Sequence, residues 1–293
     1  MSKSAVPDKE QLLGEFKIHM DELEMSTETV KSYFGNISRY LKWYHESFGL
    51  PPGILYRANI KDFKSYLQNI KRLVPSTVNY YLSALMKFNE FLIKMGYQTE
   101  MAVVKSDFIK IQPSSANPWD GEEEQVYTFL QKVLSSESSF SVRDHALFTL
   151  IAYTGVRNSE AISIQDADVD LFGKEILIRS GKGDKARTII INSKAANAIA
   201  EYRKMRPDNC SPYLFLNRTG DKLTRGRINQ ICNQYSDFIT PHKLRHFYCT
   251  QSQAKAGYSL AETATQVGHK TTRTTMRYTH PSKAQLKQKA DLL

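Results

Sequence analysis

A break in the sequence between residues 110 and 120 constrains the possible folds of this chain more than any other feature. The stretch reads KIQPSSANPWD, and its prolines, serines and Asn-Pro step interrupt any regular helix or strand period. Apolar residues recur at spacings of three and four before the break, whereas short β-branched runs appear after it. The length of 293 residues also suits two domains of ordinary size. We therefore predict two domains, over residues 1–110 and 121–293, joined by a linker over residues 111–120.

The first domain is predicted to be entirely helical. Residues 30–44, 60–70 and 78–92 each place apolar side chains along one face of a helix. Pro75 suits the start of the third helix and Gly96 suits its end. Many residues of these stripes are Phe or Tyr, which could stack on nucleic-acid bases. Aromatic residues at helical spacing are more often core residues, so we predict an aromatic core.

The second domain is predicted to combine helices with a small sheet. Residues 122–134, 142–154 and 194–204 have a helical period. Residues 175–179 and 186–192 are β-branched runs joined by the turn SGKGDK, which is typical of a β-hairpin. The expected fold class is therefore mainly α with a small β-sheet, built from a helical N-terminal domain and a mixed α/β (α+β) second domain.

The chain is basic, and its positive charge is concentrated near the C-terminal end. Forty Lys and Arg residues against thirty Asp and Glu residues give a net charge of +10. From residue 238 onward, nine basic residues are interleaved with Thr, His and Tyr, and only two acidic residues accompany them. This pattern favours a nucleic-acid partner over a membrane surface.

Several other classes of protein are disfavoured. No apolar run approaches the roughly 18 residues that span a bilayer, and no apolar signal segment opens the chain. The three cysteines form no CxxC pair, so neither a disulfide framework nor a cysteine-based zinc site is indicated. We expect a cytoplasmic protein with no membrane partner.

Two short stretches of the second domain combine glycine with charged residues. In TGVRNSE, Glu160 follows Arg157 by one helical turn and can pair with or orient its guanidinium. A simple surface ion pair would give the same spacing. In SGKGDKAR, Lys182 and Lys185 lie at a flexible turn that could enter a groove or could simply be solvated. This turn lacks the full GxxxxGK[ST] pattern, so it predicts no ATP site.

Two further stretches supply histidines and a tyrosine. In PHKLRH, His242 and Arg245 share one face of a helical turn, so a phosphate between them would meet both. The stretch lacks the carboxylate of HExxH, which disfavours a zinc protease site. In VGHKTTRTTMRYTH, His269 precedes Tyr278 by nine residues within the basic segment. Each of these residues alone would more often be structural.

Taken together, the residues form an ordered set. Its members are Arg157, Lys182, His242, Arg245, His269 and Tyr278. With TGVRNSE, LRHFYCT and VGHKTTRTTMRYTH around it, the set resembles the active site of the tyrosine recombinase (phage integrase) family. The resemblance covers roughly residues 120–280, and the chain length is similar to that of Xer-like and transposon-encoded site-specific recombinases. It implies that residues 1–110 form a core-binding (SAM-like) domain and that residues 121–293 form the catalytic domain, ending in a C-terminal helix.

The resemblance also implies a chemistry for each residue. Tyr278 is the nucleophile that forms a 3′-phosphotyrosyl intermediate, and Lys182, with Lys185 as the alternative, protonates the departing 5′-oxygen. Arg157 and Arg245 hold the phosphate with rigid guanidinium forks. The other members have supporting roles, in which His242 is the candidate base, His269 is a hydrogen-bond donor and Glu160 supports the arginines. No ATP, metal or other cofactor is expected.

The expected partners follow from the same resemblance. They are double-stranded DNA with paired recombination sites, a homotetramer that assembles on DNA from chains free as monomers in solution, and accessory DNA-bending or regulatory proteins. Strand exchange through a Holliday junction would place the protein at the nucleoid. Whether it integrates, excises or resolves DNA stays open, as does whether the C-terminal helix docks in cis or on a neighbouring subunit. The alternatives are a type IB topoisomerase-like enzyme that relaxes DNA and a catalytically silent DNA-binding protein.

Overall fold

The structure is a computed structural model of the chain. The residues that it describes are 7–49, 54–111, 121–179, 186–207 and 211–268. The chain divides into two units, Met1–Pro113 and Ser114–Leu293, and each unit has its own apolar core.

The first unit consists of helices around an aromatic core. Its helices are α1 (Lys9–Glu22), α2 (Thr27–Phe48), α3 (Arg57–Ser65) and α4 (Pro75–Lys94), with a π-helical turn (Tyr66–Ile70) after α3 and a 3₁₀ turn (Lys105–Asp107) after α4. Tyr40 and Phe63 are buried and meet edge to face, with ring centroids 5.1 Å apart. The rings of Phe16 and Phe88 do the same at 5.0 Å. The predicted aromatic core is therefore confirmed.

The ends of the helices in this unit follow local signals. Pro75 lies in the first turn of α4, where its missing N–H costs no helix hydrogen bond. Gly96 follows that helix with a φ of +73°, a conformation that favours glycine. Helix α1 is not one of the three helices predicted from apolar spacing. It begins after Asp8, whose carboxylate accepts hydrogen bonds from the backbone N–H groups of Glu10 and Gln11.

The second unit combines helices with a three-stranded antiparallel sheet of order β1-β2-β3. Its elements are α5 (Glu123–Leu134), α6 (Ser141–Thr154), α7 (Asn158–Ala161), β1 (Val169–Asp170), β2 (Glu175–Ile178), β3 (Arg187–Ile190), α8 (Ser193–Met205), α9 (Arg225–Tyr235), α10 (Pro241–Ala254) and α11 (Leu260–Val267). The predicted hairpin is present, with Glu175 opposite Ile190 and Ile178 opposite Arg187. Strand β1 was not predicted because two residues carry no detectable period. The mainly α fold class with a small sheet is confirmed.

Helix α6 is the central element of the second unit. Leu147, Phe148, Leu150 and Ile151 are all fully buried, so the helix is enclosed on every side, as an all-round apolar helix must be. It packs against α5, α8 and α10. The end of α6 therefore has a fixed position in the core. In the described part of the chain, no helix combines the length and the apolar character that a membrane span needs.

Candidate active site

The loop after α6 places the first candidate residue. Gly155 ends the helix with a φ of +63°, and its N–H donates to the carbonyl of Ile151 at 2.9 Å. The chain then reverses into α7, which Arg157 precedes as its N-cap. The Glu160 carboxylate accepts from the Arg157 backbone N–H at 2.9 Å and from Arg157 Nη1 at 2.7 Å. The pairing expected from the spacing of these two residues is therefore present.

Glu160 has a second cationic partner that the sequence did not reveal. Arg187, the first residue of β3, donates from Nη1 and Nη2 to the two oxygens of Glu160, each at 2.9 Å. Burial alone would raise the pKa of Glu160, but the hydrogen bonds from Arg187 and from the Arg157 backbone outweigh it and lower that pKa. Glu160 is consequently ionised at neutral pH and bridges two guanidinium groups.

Helix α10 places Arg245 in the interior. Its residue surface is only 6% exposed, and its guanidinium donates to the carbonyl of Gly155 and, at 2.9 Å, to the carbonyl of Val267. These two carbonyls lie at the ends of α6 and α11. Arg245 therefore connects the ends of two helices, and the bonds fix the plane of its guanidinium.

His242 lies one turn before Arg245, in the first turn of α10, with part of its surface exposed and part covered. Its ring meets that of His246 edge to face, with centroids 4.2 Å apart. Loss of solvent around the ring, followed by the charge of Arg245, lowers the pKa of His242. Loss of solvent, followed by electrostatic interactions with His242, Arg245 and Lys243, lowers the pKa of His246 to about 4. His242 is thus neutral at pH 7 and has a ring nitrogen that can take up a proton.

The C-terminal end of α11 brings three arginines together. Three successive backbone carbonyls there each accept a hydrogen bond from a different guanidinium. The pairs are Arg187 Nε with Gln266 O (3.3 Å), Arg245 Nη2 with Val267 O (2.9 Å) and Arg157 Nη2 with Gly268 O. The end of a helix carries partial negative charge, so it favours cations at this position. We call these three residues the arginine cluster.

Two glycines give the arginine cluster its close packing. Gly268 has a φ of +68°, and a Cβ there would lie 2.5 Å from Cζ of Arg187. Gly155 has a φ of +63°, and a Cβ there would lie 2.6 Å from the Tyr248 ring and 2.8 Å from the Val267 side chain. Both positions therefore need glycine for conformation and for space.

We expect Gly155→Ala to destabilise the second unit by about 2–5 kcal/mol, combining left-handed backbone strain with overpacking. Gly257→Ala is the matched control, because Gly257 has a φ of +70° but open space around it. It should lose only about 1–2 kcal/mol of backbone strain. Urea unfolding of both variants measures the difference. Equal losses would show that the neighbours of Gly155 give way without cost.

Four candidate residues lie outside the described residues. They are Lys182, Lys185, His269 and Tyr278. Of the predicted set, the structure therefore places Arg157, Glu160, His242 and Arg245, and it adds Arg187. Within the described ranges, no three His, Cys, Asp or Glu side chains gather as metal ligands would.

Two family descriptions match the chain. The phage integrase family matches residues 121–285, and the phage integrase N-terminal SAM-like domain matches residues 12–98. Among curated proteins, the chain is 42% identical over 283 residues to the TnP I resolvase of Bacillus thuringiensis, covering 95% of this chain and 98% of that protein. It is 28% identical over 277 residues to tyrosine recombinase XerC of Roseiflexus castenholzii, covering 89% of this chain and 85% of that protein.

Solved structures share the fold. The Tn1549 transposon integrase in complex with a circular intermediate DNA has a TM-score of 0.71 at 18% identity, covering 98% of this chain and 99% of that chain. The XerH site-specific recombinase bound to its difH substrate has a TM-score of 0.67 at 22% identity, covering 99% of this chain and 90% of that chain.

Proposed function

The chain belongs to the phage integrase family of tyrosine recombinases, and we propose that it is a site-specific DNA recombinase that works through a 3′-phosphotyrosyl intermediate. The observation that carries this proposal is the arginine cluster, in which Arg157 and Arg245 are held at one helix end with His242 beside them. Such a group of cations suits one phosphate of DNA.

A phosphodiester needs such a cluster in order to react. Its oxygens are negatively charged and repel nucleophiles, and attack adds negative charge to the nonbridging oxygens. Guanidinium groups stay ionised and bind two oxygens at once, which an ammonium group cannot do. Arg157 and Arg245 therefore supply the electrostatic stabilisation, with His269 as a further hydrogen-bond donor.

The proposed reaction exchanges one phosphoester for another. The Tyr278 hydroxyl attacks the phosphorus and passes its proton to His242, which is neutral at pH 7. The bond from phosphorus to the deoxyribose 5′-oxygen breaks, and Lys182 gives that oxygen a proton. Attack by the 5′-hydroxyl of another strand reverses these steps and releases Tyr278. Since the number of phosphoester bonds is unchanged, the cycle needs no ATP.

The wider assembly follows from the same chemistry. Exchange between two duplexes requires paired sites and four nucleophiles, so we propose a homotetramer on DNA and a Holliday junction intermediate. Residues 1–110 would form the core-binding domain, residues 111–120 the linker and residues 121–293 the catalytic domain. The 42% identity to a protein named a resolvase favours resolution over integration or excision.

A plasmid assay tests the proposal. DNA fragments protected by the chain are first recovered by footprinting, and the protected sequence is then placed once or twice on supercoiled plasmids. We expect the two-site plasmid to give two smaller circles and the one-site plasmid to stay supercoiled. Relaxation of the one-site plasmid would indicate a type IB topoisomerase-like enzyme. Protection with no change in either plasmid would indicate a silent DNA-binding protein.

A further inference from the structure

We propose that Arg187 is a positioning residue that preserves the positive charge of Arg157 by sharing the Glu160 carboxylate with it, an inference that rests on the proposed function. Arg187 is the first residue of β3, and its guanidinium donates to the Glu160 carboxylate. It is not one of the residues that were predicted from the sequence. It acts on the phosphate through Arg157.

The three side chains share one carboxylate oxygen but differ in their exposure to solvent. Oε1 of Glu160 accepts from both guanidinium groups, at 2.7 Å from Arg157 and 2.9 Å from Arg187. The side chains of Glu160 and Arg187 are 13% and 15% exposed, whereas that of Arg157 is 33% exposed. Arg157 is therefore the member closest to solvent, where a DNA phosphate would arrive, and Arg187 lies behind it.

The charges of this group decide what a phosphate meets. Arg157 and Glu160 alone would form a neutral pair, and the carboxylate would repel an approaching phosphate. With Arg187 included, two cations share one anion, so the group keeps a net charge of +1. In a partly buried site this charge is screened less than it would be in water. Arg187 thus offsets the carboxylate that orients Arg157.

Arg187 is itself held in place from two directions. Its Nε donates to the carbonyl of Gln266 at 3.3 Å, and its guanidinium lies against Gly268. The Gln266 amide also bonds the carbonyl and N–H of Ile190, at 2.6 Å and 3.2 Å, so it joins β3 to the end of α11. Lysine at position 187 would keep the charge but lose the two-pronged bond to Glu160.

The test uses single-turnover cleavage of a nicked duplex that carries the recovered site. One duplex has a normal phosphate at the cleavage position, and a second has an uncharged methylphosphonate there. We expect Arg187→Ala to slow cleavage of the phosphate duplex by about 10–100-fold relative to the native chain. On the methylphosphonate duplex the two proteins should differ by less than about threefold, because that centre carries one negative charge fewer throughout the reaction and depends less on the net positive charge of the group.

Two further variants keep the result interpretable. Arg187→Gln retains much of the side chain without its charge, so it reports the same effect if Arg187→Ala does not fold. Arg179→Ala is the matched control, because Arg179, the residue after β2, directs its guanidinium to a different carboxylate, with a two-pronged bond to Asp168. It should cleave both duplexes as the native chain does.

Each outcome decides the inference. A defect of equal size on both duplexes would show that Arg187 acts only through stability and would overturn the proposal, as would normal cleavage of the phosphate duplex by both Arg187 variants. Failure of the native chain to cleave the phosphate duplex is a separate result. It would contradict the proposed function and remove the basis for this inference.

Discussion

The Tyr278→Phe variant is expected to form no covalent complex with DNA while it still binds the recovered site. The substitution removes one oxygen atom and keeps the aromatic ring, so we expect the proposed contacts of Arg157 and Arg245 with the phosphate to be kept. No phosphotyrosyl bond can form without that oxygen. On a nicked duplex that traps the intermediate, the adduct yield should fall by at least about 10⁴-fold. The dissociation constant should change by less than about threefold.

Denaturing gels measure the adduct, and mobility-shift titration measures binding. Tyr258→Phe is the matched control, because Tyr258 is a partly exposed tyrosine in the same unit. It should form the adduct at the native rate. An adduct that persists in Tyr278→Phe would show that another side chain is the nucleophile, and the assignment of the C-terminal basic segment would be wrong.

The Arg245→Ala variant is expected to lose both catalysis and stability. Arg245 is buried, and its removal leaves the carbonyls of Gly155 and Val267 without these donors. Leaving buried polar groups unsatisfied costs about 1–3 kcal/mol each, so we expect a loss of about 2–5 kcal/mol in unfolding free energy. Cleavage should fall by roughly 10²–10³-fold at a temperature where the variant is folded. Arg245→Lys should remain well below native activity, because an ammonium group cannot bond both carbonyls and the phosphate in one plane.

The two effects can be separated with a second, partly buried arginine network. Arg203 donates to the carbonyls of Asp166 and Val169 and to the Asp166 carboxylate, none of which bonds the arginine cluster in the described residues. Arg203→Ala should therefore lose stability but keep cleavage near the native rate. If Arg203→Ala loses cleavage as strongly as Arg245→Ala, the loss reflects stability alone, and Arg245 has no direct role at the phosphate.

Much of the fold follows from local patterns. The hairpin of β2 and β3 was predictable because β-branched runs flank a glycine turn, and the aromatic core was predictable from helical spacing. The pairing of Arg157 with Glu160 was predictable because one helical turn separates them. Strand β1 was not predictable from local patterns, since a two-residue strand exists only through its pairing with β2.

The parts of the site that the sequence did not predict depend on contacts between segments that are distant in the chain. Arg187 lies 27 residues from Glu160 in the chain, and the sequence on either side of Arg187 does not indicate that the two residues pair. The sequence around helix α11 indicates a role only for His269, which follows the helix, whereas the carbonyls at the helix end bond the arginine cluster. Gly268 does indicate the end of this helix in the sequence, because a glycine after a helix is typical of a left-handed end. Its tight contact with Arg187 still requires the folded chain.

The central claim is that Arg157 and Arg245 bind the same phosphate that Tyr278 attacks. An experimental structure of the Tyr278→Phe variant on an uncleaved duplex tests this most directly. We predict that guanidinium nitrogens of both arginines lie about 3 Å from the nonbridging oxygens of one phosphate. The ring at position 278 should face that phosphorus opposite the 5′-oxygen. Arginines that contact different phosphates, or a ring buried away from the DNA in every subunit, would contradict the account.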